Sequence, residues 1–167
     1  TVYYYVTTAN ITLYGPNNFY NNTNGDGLKA SADGSITLYD VNASFNGDDG
    51  ADLTTTAPGY GVTLYNTNYF TDNEHAGLFV NGAGAVTLYN ATARLNTGNG
   101  VEINNQDSLS GLGVTLYGMN VFNDNAIGLK ILSHGIITTY NLYASGNTAD
   151  GVQLDNCHEV SGECSVV

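Results

Sequence analysis

Val62-Thr63-Leu64-Tyr65 is the stretch that decides the fold, because the chain keeps returning to it. It recurs as Ile11-Thr12-Leu13-Tyr14, Ile36-Thr37-Leu38-Tyr39, Val86-Thr87-Leu88-Tyr89 and Val114-Thr115-Leu116-Tyr117. A worn copy stands at Ile137-Thr138-Thr139-Tyr140. The tyrosines are 25, 26, 24, 28 and 23 residues apart. A period of this size is the signature of a solenoid, in which each repeat is one coil and buries its apolar side only against its neighbours.

Two further markers follow each tyrosine. An asparagine recurs at Asn22, Asn46, Asn73, Asn96, Asn125 and Asn147, and a Gly-led apolar run begins at Gly27, Gly50, Gly77, Gly100, Gly128 and Gly151. Each coil therefore reads as strand, short strand, Asn turn, Gly, strand, variable loop. Apolar and polar residues alternate as in half-buried strands. Val62 and Leu64 point one way, Thr63 and Tyr65 the other; Val101 and Ile103 point in and Glu102 points out.

A longer period lies over the first. Tyrosines of alternate coils are 51, 50, 52 and 51 residues apart, so the unit is a pair of coils. Three residues before each marker asparagine stand Phe19, Ala43, Phe70, Ala93, Phe122 and Ala144. Stacked inside the coil, large and small side chains would alternate along the axis and fill a narrow core without voids or overlap. The expected fold is all-β: a single β-solenoid domain over 1–167, about six coils of ~25 residues in a ~51-residue two-coil repeat, forming a rod ~30 Å long.

Composition narrows the function classes. Three Lys plus Arg stand against fifteen Asp plus Glu, a net charge of −12, which gives no basic face for nucleic acid or for an anionic membrane. No apolar run is long enough to span a bilayer. Along the third strands the outward position reads Lys29, Asp52, Phe79, Glu102, Lys130, Gln153, which predicts Lys29 beside Asp52 and Glu102 beside Lys130. Such exposed pairs are worth ~0.2–1 kcal/mol each. The two cysteines, Cys157 and Cys164, fall in the variable loop of the last coil. A bridge between them, favoured over two buried thiols, would contribute roughly 2–3 kcal/mol and imply an oxidising compartment. His158 beside them leaves a zinc site without a fourth ligand.

The Ile/Val-Thr-Leu-Tyr strand, the Asn turn and the Gly-led strand at this period resemble the right-handed parallel β-helix of the pectin-lyase-like superfamily. More narrowly, they resemble the repeat regions of secreted bacterial surface and stalk proteins. The resemblance covers nearly the whole chain and implies a right-handed helix and an extracellular or cell-surface location. The superfamily includes pectate lyases, polygalacturonases, tailspikes and non-catalytic adhesins, so activity has to be read residue by residue. Gly47-Asp48-Asp49-Gly50 and Ser133-His134-Gly135 are faint echoes of a polygalacturonase site. They stand about three coils apart, ~15 Å, beyond the ~10 Å reach of paired acid–base groups. The single arginine, Arg94, lies between Ala93 and Leu95, away from any carboxylate cluster. The expectation is no catalytic residue and no enzyme.

Binding surfaces follow from the outward positions. Thr12, Thr37, Thr63, Thr87, Thr115 and Thr138 make one row, and Tyr14, Tyr39, Tyr65, Tyr89, Tyr117 and Tyr140 the next. The tyrosine row could serve as a flat strip for sugars or for another rod, or as a ladder that stabilises the coils. The marker asparagines read as an amide ladder that enforces stacking. Asp26, Asp48, Asp49 and Asp72 lie on the acidic turn edge as weak Ca²⁺ candidates, with a solvated edge the simpler reading; no other metal and no cofactor is expected. No cap is legible at either end, so copies are expected to stack end to end. The function expected is a structural, non-enzymatic segment of an extracellular fibre or adhesin-like surface stalk. The alternative is a carbohydrate-binding or polysaccharide-degrading β-helix.

Overall fold

A computed structural model describes residues 9–108 and 111–156. The first coil comprises β1 (Ile11–Leu13), β2 (Asn17–Tyr20) and β3 (Leu28–Ala32); the second β4 (Ile36–Tyr39), β5 (Val41–Ser44) and β6 (Ala51–Thr55). The third comprises β7 (Val62–Tyr65), β8 (Asn68–Thr71) and β9 (Leu78–Gly82), and the fourth β10 (Val86–Tyr89), β11 (Ala91–Arg94) and β12 (Val101–Asn105). The fifth comprises β13 (Val114–Tyr117), β14 (Asn120–Asn123) and β15 (Leu129–Ser133), and the sixth β16 (Ile137–Thr139), β17 (Leu142–Ser145) and β18 (Val152–Asp155). Each strand pairs in parallel with its counterpart one coil away. The result is three six-stranded sheets, β1-β4-β7-β10-β13-β16, β2-β5-β8-β11-β14-β17 and β3-β6-β9-β12-β15-β18. The protein is an all-β parallel solenoid of about six coils.

Register is uniform. Ile36 stands on Ile11 and Val62 on Ile36, and Val86 is flanked by Val62 and Val114. The alternation of apolar and polar residues places one side of every strand inside. Ile36, Leu38, Val62, Leu64, Val86, Leu88, Val114 and Leu116 are fully buried. In the second sheet the partners run Phe19, Ala43, Phe70, Ala93, Phe122, Ala144. Phe70 and Phe122 are fully enclosed, each between two alanines. A coil carrying Ala at that position leaves the volume into which the ring of the next coil fits.

Two columns of left-handed residues turn the chain between sheets. Gly15, Asp40, Asn66, Asn90, Gly118 and Asn141 separate the first sheet from the second, all at positive φ. Asn21, Phe45, Asp72, Leu95, Asp124 and Gly146 precede the marker asparagines in the same conformation. Gly, Asn and Asp tolerate that region; Phe45 (φ 57) and Leu95 (φ 56) hold it at a steric cost of roughly 1–2 kcal/mol. Both are exposed, and both belong to even-numbered coils. The Gly markers have a different cause, close approach. A Cβ built on Gly50 would stand 2.4 Å from the Gly77 carbonyl oxygen, and one on Gly77 2.6 Å from that of Gly100.

His158 and the proposed Cys157–Cys164 bridge lie outside the described residues.

Candidate functional site

The sequence makes one copy of each side chain per coil, so candidate sites take the form of columns. The best formed is the asparagine column. Asn46 donates from Nδ2 to Asn73 Oδ1 (2.9 Å), Asn73 to Asn96 Oδ1 (2.9 Å) and Asn96 to Asn125 Oδ1 (2.9 Å). Asn22 and Asn147 extend the chain at 2.8 and 3.3 Å. Each Oδ1 also accepts the backbone N–H of the asparagine one coil earlier, as Asn73 Oδ1 does from Asn46 (3.1 Å). The second Nδ2 proton reaches back to the chain: Asn73 to the Ala43 carbonyl (3.1 Å) and Asn96 to that of Phe70 (3.0 Å). Asn46, Asn73, Asn96 and Asn125 are buried, with their amides satisfied inside the rod. Such a column holds the coils in register and offers little to a ligand.

A second set of inward-facing amides, buried at Asn68 and Asn120 and half-buried at Asn17, occupies odd-numbered coils alone. Asn17, Asn68 and Asn120 open β2, β8 and β14. Their Nδ2 groups donate to the carbonyls of Tyr39 (2.7 Å), Tyr89 (2.9 Å) and Tyr140 (3.0 Å). Asn68 Oδ1 accepts from the Val41 N–H, and Asn120 Oδ1 from the Ala91 N–H, both at 3.2 Å. Even coils place Val41, Ala91 and Leu142 at this position. Sequence reasoning missed these asparagines; the signal was their spacing of 51 and 52 residues, the two-coil period.

The tyrosine column is continuous. Ring centroids of Tyr14, Tyr39, Tyr65, Tyr89, Tyr117 and Tyr140 follow one another at 5.3, 5.0, 5.3, 5.0 and 5.4 Å, with interplanar angles of 10–22°. The rings lie face to face along the axis. The faces of the inner rings are therefore covered by their neighbours, and what the rod presents sideways is ring edges and hydroxyls. A sugar stacking on those faces, as a flat strip would allow, finds them occupied. Thr12, Thr37, Thr63, Thr87, Thr115 and Thr138 stand in register one beside the next.

The charged row of the third sheet pairs as its order predicts. Lys29 bonds to both Asp52 and Asp26, and Lys130 Nζ lies 2.9 Å from Glu102 Oε1. The Asp52 and Asp26 carboxylates hold the Lys29 ammonium above the ordinary lysine range.

The acidic edge resolves into separate local roles. Asp26 caps the next coil, its Oδ1 accepting the Asp49 N–H at 3.2 Å. Asp72 occupies a left-handed turn position (φ 56). It helps line a shallow depression of about 230 Å³ with Thr23, Phe45, Asn46, Gly47 and Glu74. Asp48 and Asp49 meet a residue that sequence reasoning did not single out, His75. Its Nδ1 lies 2.6 Å from Asp49 Oδ1 and 3.7 Å from Asp48 Oδ1. Asp49 is buried, and its Oδ1 also accepts the Ala76 N–H (2.8 Å). The bond to Asp49 raises the imidazole pKa; burial raises that of the Asp49 carboxyl, against the pull of His75 and the Ala76 amide. His75 follows Asp48 and Asp49 by 27 and 26 residues, one coil, which is the only signal that they meet.

Ser133-His134-Gly135 lies in the fifth coil and Asp48-Asp49 in the second, with β9 and β12 between β6 and β15. His134 Nδ1 is hydrogen-bonded to the Ser108 carbonyl at 2.8 Å. Arg94 ends β11 in the fourth coil, two coils from Asp48-Asp49 and one from Ser133-His134-Gly135.

Comparison with family models, with curated proteins and with solved structures finds no match.

Proposed function

We propose that this chain is a structural, non-enzymatic module of an extracellular fibre or cell-surface stalk, built to be continued end to end. The observation that carries the reading is the continuity of its columns. Amide ladder, tyrosine stack and alternating core pass through all six coils with nearly constant spacing. A repeat joined to the next by the same contacts has no built-in stopping point. Among the described residues, β1, β2 and β3 at one end and β16, β17 and β18 at the other each pair with a strand on one side. Such an edge offers backbone N–H and C=O groups to a further strand. Head-to-tail addition does not close on itself and gives an open filament. The acidic surface, with three basic residues in the chain, favours solubility and keeps nucleic acid away.

Electron microscopy and sedimentation velocity of the purified chain over a hundredfold concentration range test this. Expected are rods that lengthen with concentration and keep the width of one solenoid. Leu142→Asp, which puts a charge on the half-buried inner face of β17, is expected to shorten them while far-UV circular dichroism stays β-rich. Monodisperse single rods at the highest concentration would overturn end-to-end assembly. Hydrolysis of an acidic polysaccharide, lost on changing Asp48, Asp49 or Arg94, would overturn the non-enzymatic reading.

A further inference from the structure

We propose that Asp48, Asp49 and His75 form a binding site for a divalent transition ion of the zinc class, tying the second coil to the third. The donor atoms of the three side chains all lie within 4.8 Å of one another. Zinc-class bonds are about 2.0–2.2 Å long to imidazole nitrogen and carboxylate oxygen. Tetrahedral ligands at that bond length stand roughly 3.3–3.6 Å apart, so the donors have to shift by about 1 Å, a movement open to the exposed Asp48 and His75 side chains.

The ligands differ in how firmly they are held, in a way that suits ion capture. Asp49 is buried, and its position is fixed from behind by the Ala76 N–H. An outer-shell hydrogen bond of this kind orients a ligating carboxylate. The His75 backbone is pinned on both sides, its N–H donating to the Asp48 carbonyl (3.3 Å) and its carbonyl accepting from the Gly98 N–H (2.8 Å). The side chains that must adjust, Asp48 and His75, are 57% and 66% exposed. The same openness gives an ion its entry path and leaves room for water as the remaining ligand.

Charge favours a cation here. Among the described residues neither carboxylate has a lysine or arginine ion-pair partner; Lys29 is engaged by Asp26 and Asp52, Lys130 by Glu102. Glu74 adjoins His75 in a chain of net charge −12. The donor set selects the metal. Calcium seeks six to eight oxygens, whereas imidazole with carboxylates suits zinc, nickel or copper. Binding replaces the Nδ1–Asp49 hydrogen bond with two metal bonds. The ring then carries its proton on Nε2, and a proton held in excess of the neutral ring leaves to solvent.

The test is isothermal titration of ZnCl₂ into the full chain at pH 7.5, in a C157S/H158Q/C164S background that removes the other soft ligands near the C-terminus. One equivalent of zinc per chain is expected, together with a rise in thermal midpoint on adding zinc. His75→Ala and His75→Gln, the second keeping a polar side chain at the position, are each expected to weaken binding at least tenfold and to abolish the rise. His134→Ala is expected to leave both readouts unchanged. CaCl₂ and MgCl₂ are expected to give no heat that depends on His75. Less than a tenfold loss in both His75 variants, or the same loss in His134→Ala, would overturn the site. Circular dichroism of every variant confirms that the solenoid is intact.

Discussion

The inside and the outside of this rod are built from columns with the same period, yet they obey different physics. Inside, the Asn22-to-Asn147 amides and the Phe/Ala series repeat once per coil and are closed off from water through the middle coils. Outside, the tyrosines and the Lys29–Asp52 and Glu102–Lys130 pairs repeat or pair along the same axis but remain wetted. An amide that loses its partner in the interior has no water to replace it, and a ring that disappears leaves a cavity. A tyrosine or lysine that loses its neighbour outside meets solvent. The difference teaches that periodicity alone does not tell which column the fold depends on; burial does.

The largest expected effect breaks the interior column of rings. Phe70→Ala is expected to lower stability by ~3–5 kcal/mol in urea unfolding. Adding Ala93→Phe restores the total core volume but sets a phenyl ring at position 93 against Phe122, while alanines at 43 and 70 face each other. The double variant is therefore expected to be no more stable than the single one. Recovery of more than half the loss would show that the two-coil alternation is not steric.

Next comes the amide ladder. Asn73→Ala removes the acceptor for the Asn46 N–H and Nδ2 and the donor to Ala43 and Asn96. Buried orphans cost about 1–3 kcal/mol each, so a loss of ~2–4 kcal/mol is expected in the same unfolding experiment. A loss below ~1 kcal/mol would mean that water enters the turn and that the ladder is decoration on a fold held by its core.

How much of this was legible follows the same division. The three sheets, their register and the Phe/Ala alternation could be read because each is written in every coil or every second coil, and repetition separates signal from chance. The odd-coil amides Asn17, Asn68 and Asn120 share the two-coil period but are hidden among the many other asparagines, whereas with only 5 Phe in the whole chain the ring series stands out. His75 escaped for the opposite reason: it occurs in one coil, and its partners stand one coil earlier in a loop with no fixed motif. Phe45 and Leu95 in left-handed positions run against residue preference, so no propensity argument could have located them. The tyrosine column was legible as a column but not as a stack, because strand alternation fixes which side a residue faces and leaves its χ angles open.

The smallest effect is expected from that stack, and it sharpens the comparison most. Tyr65 has ring neighbours on both sides, Tyr39 at 5.0 Å and Tyr89 at 5.3 Å. Aromatic pairs contribute ~0.5–1.5 kcal/mol beyond area burial. With both contacts wetted, Tyr65→Ala is expected to cost about 1–2 kcal/mol. Among the described residues Tyr14 has one stacking neighbour, and it is 78% exposed, so Tyr14→Ala should cost no more than about half of that. Tyr65→Phe keeps the stack and should be neutral within ~0.5 kcal/mol, because the stacking contribution belongs to the ring. Urea unfolding of the three variants checks the order. A Tyr65→Ala loss equal to that of Asn73→Ala would place the tyrosines with the interior as part of what holds the coils together. No loss at all would mean that the two stacked contacts of Tyr65 contribute nothing to the isolated rod. The column of edges and hydroxyls would then be maintained for something outside it, and a partner running along the rod rather than onto its end would become the reading to pursue.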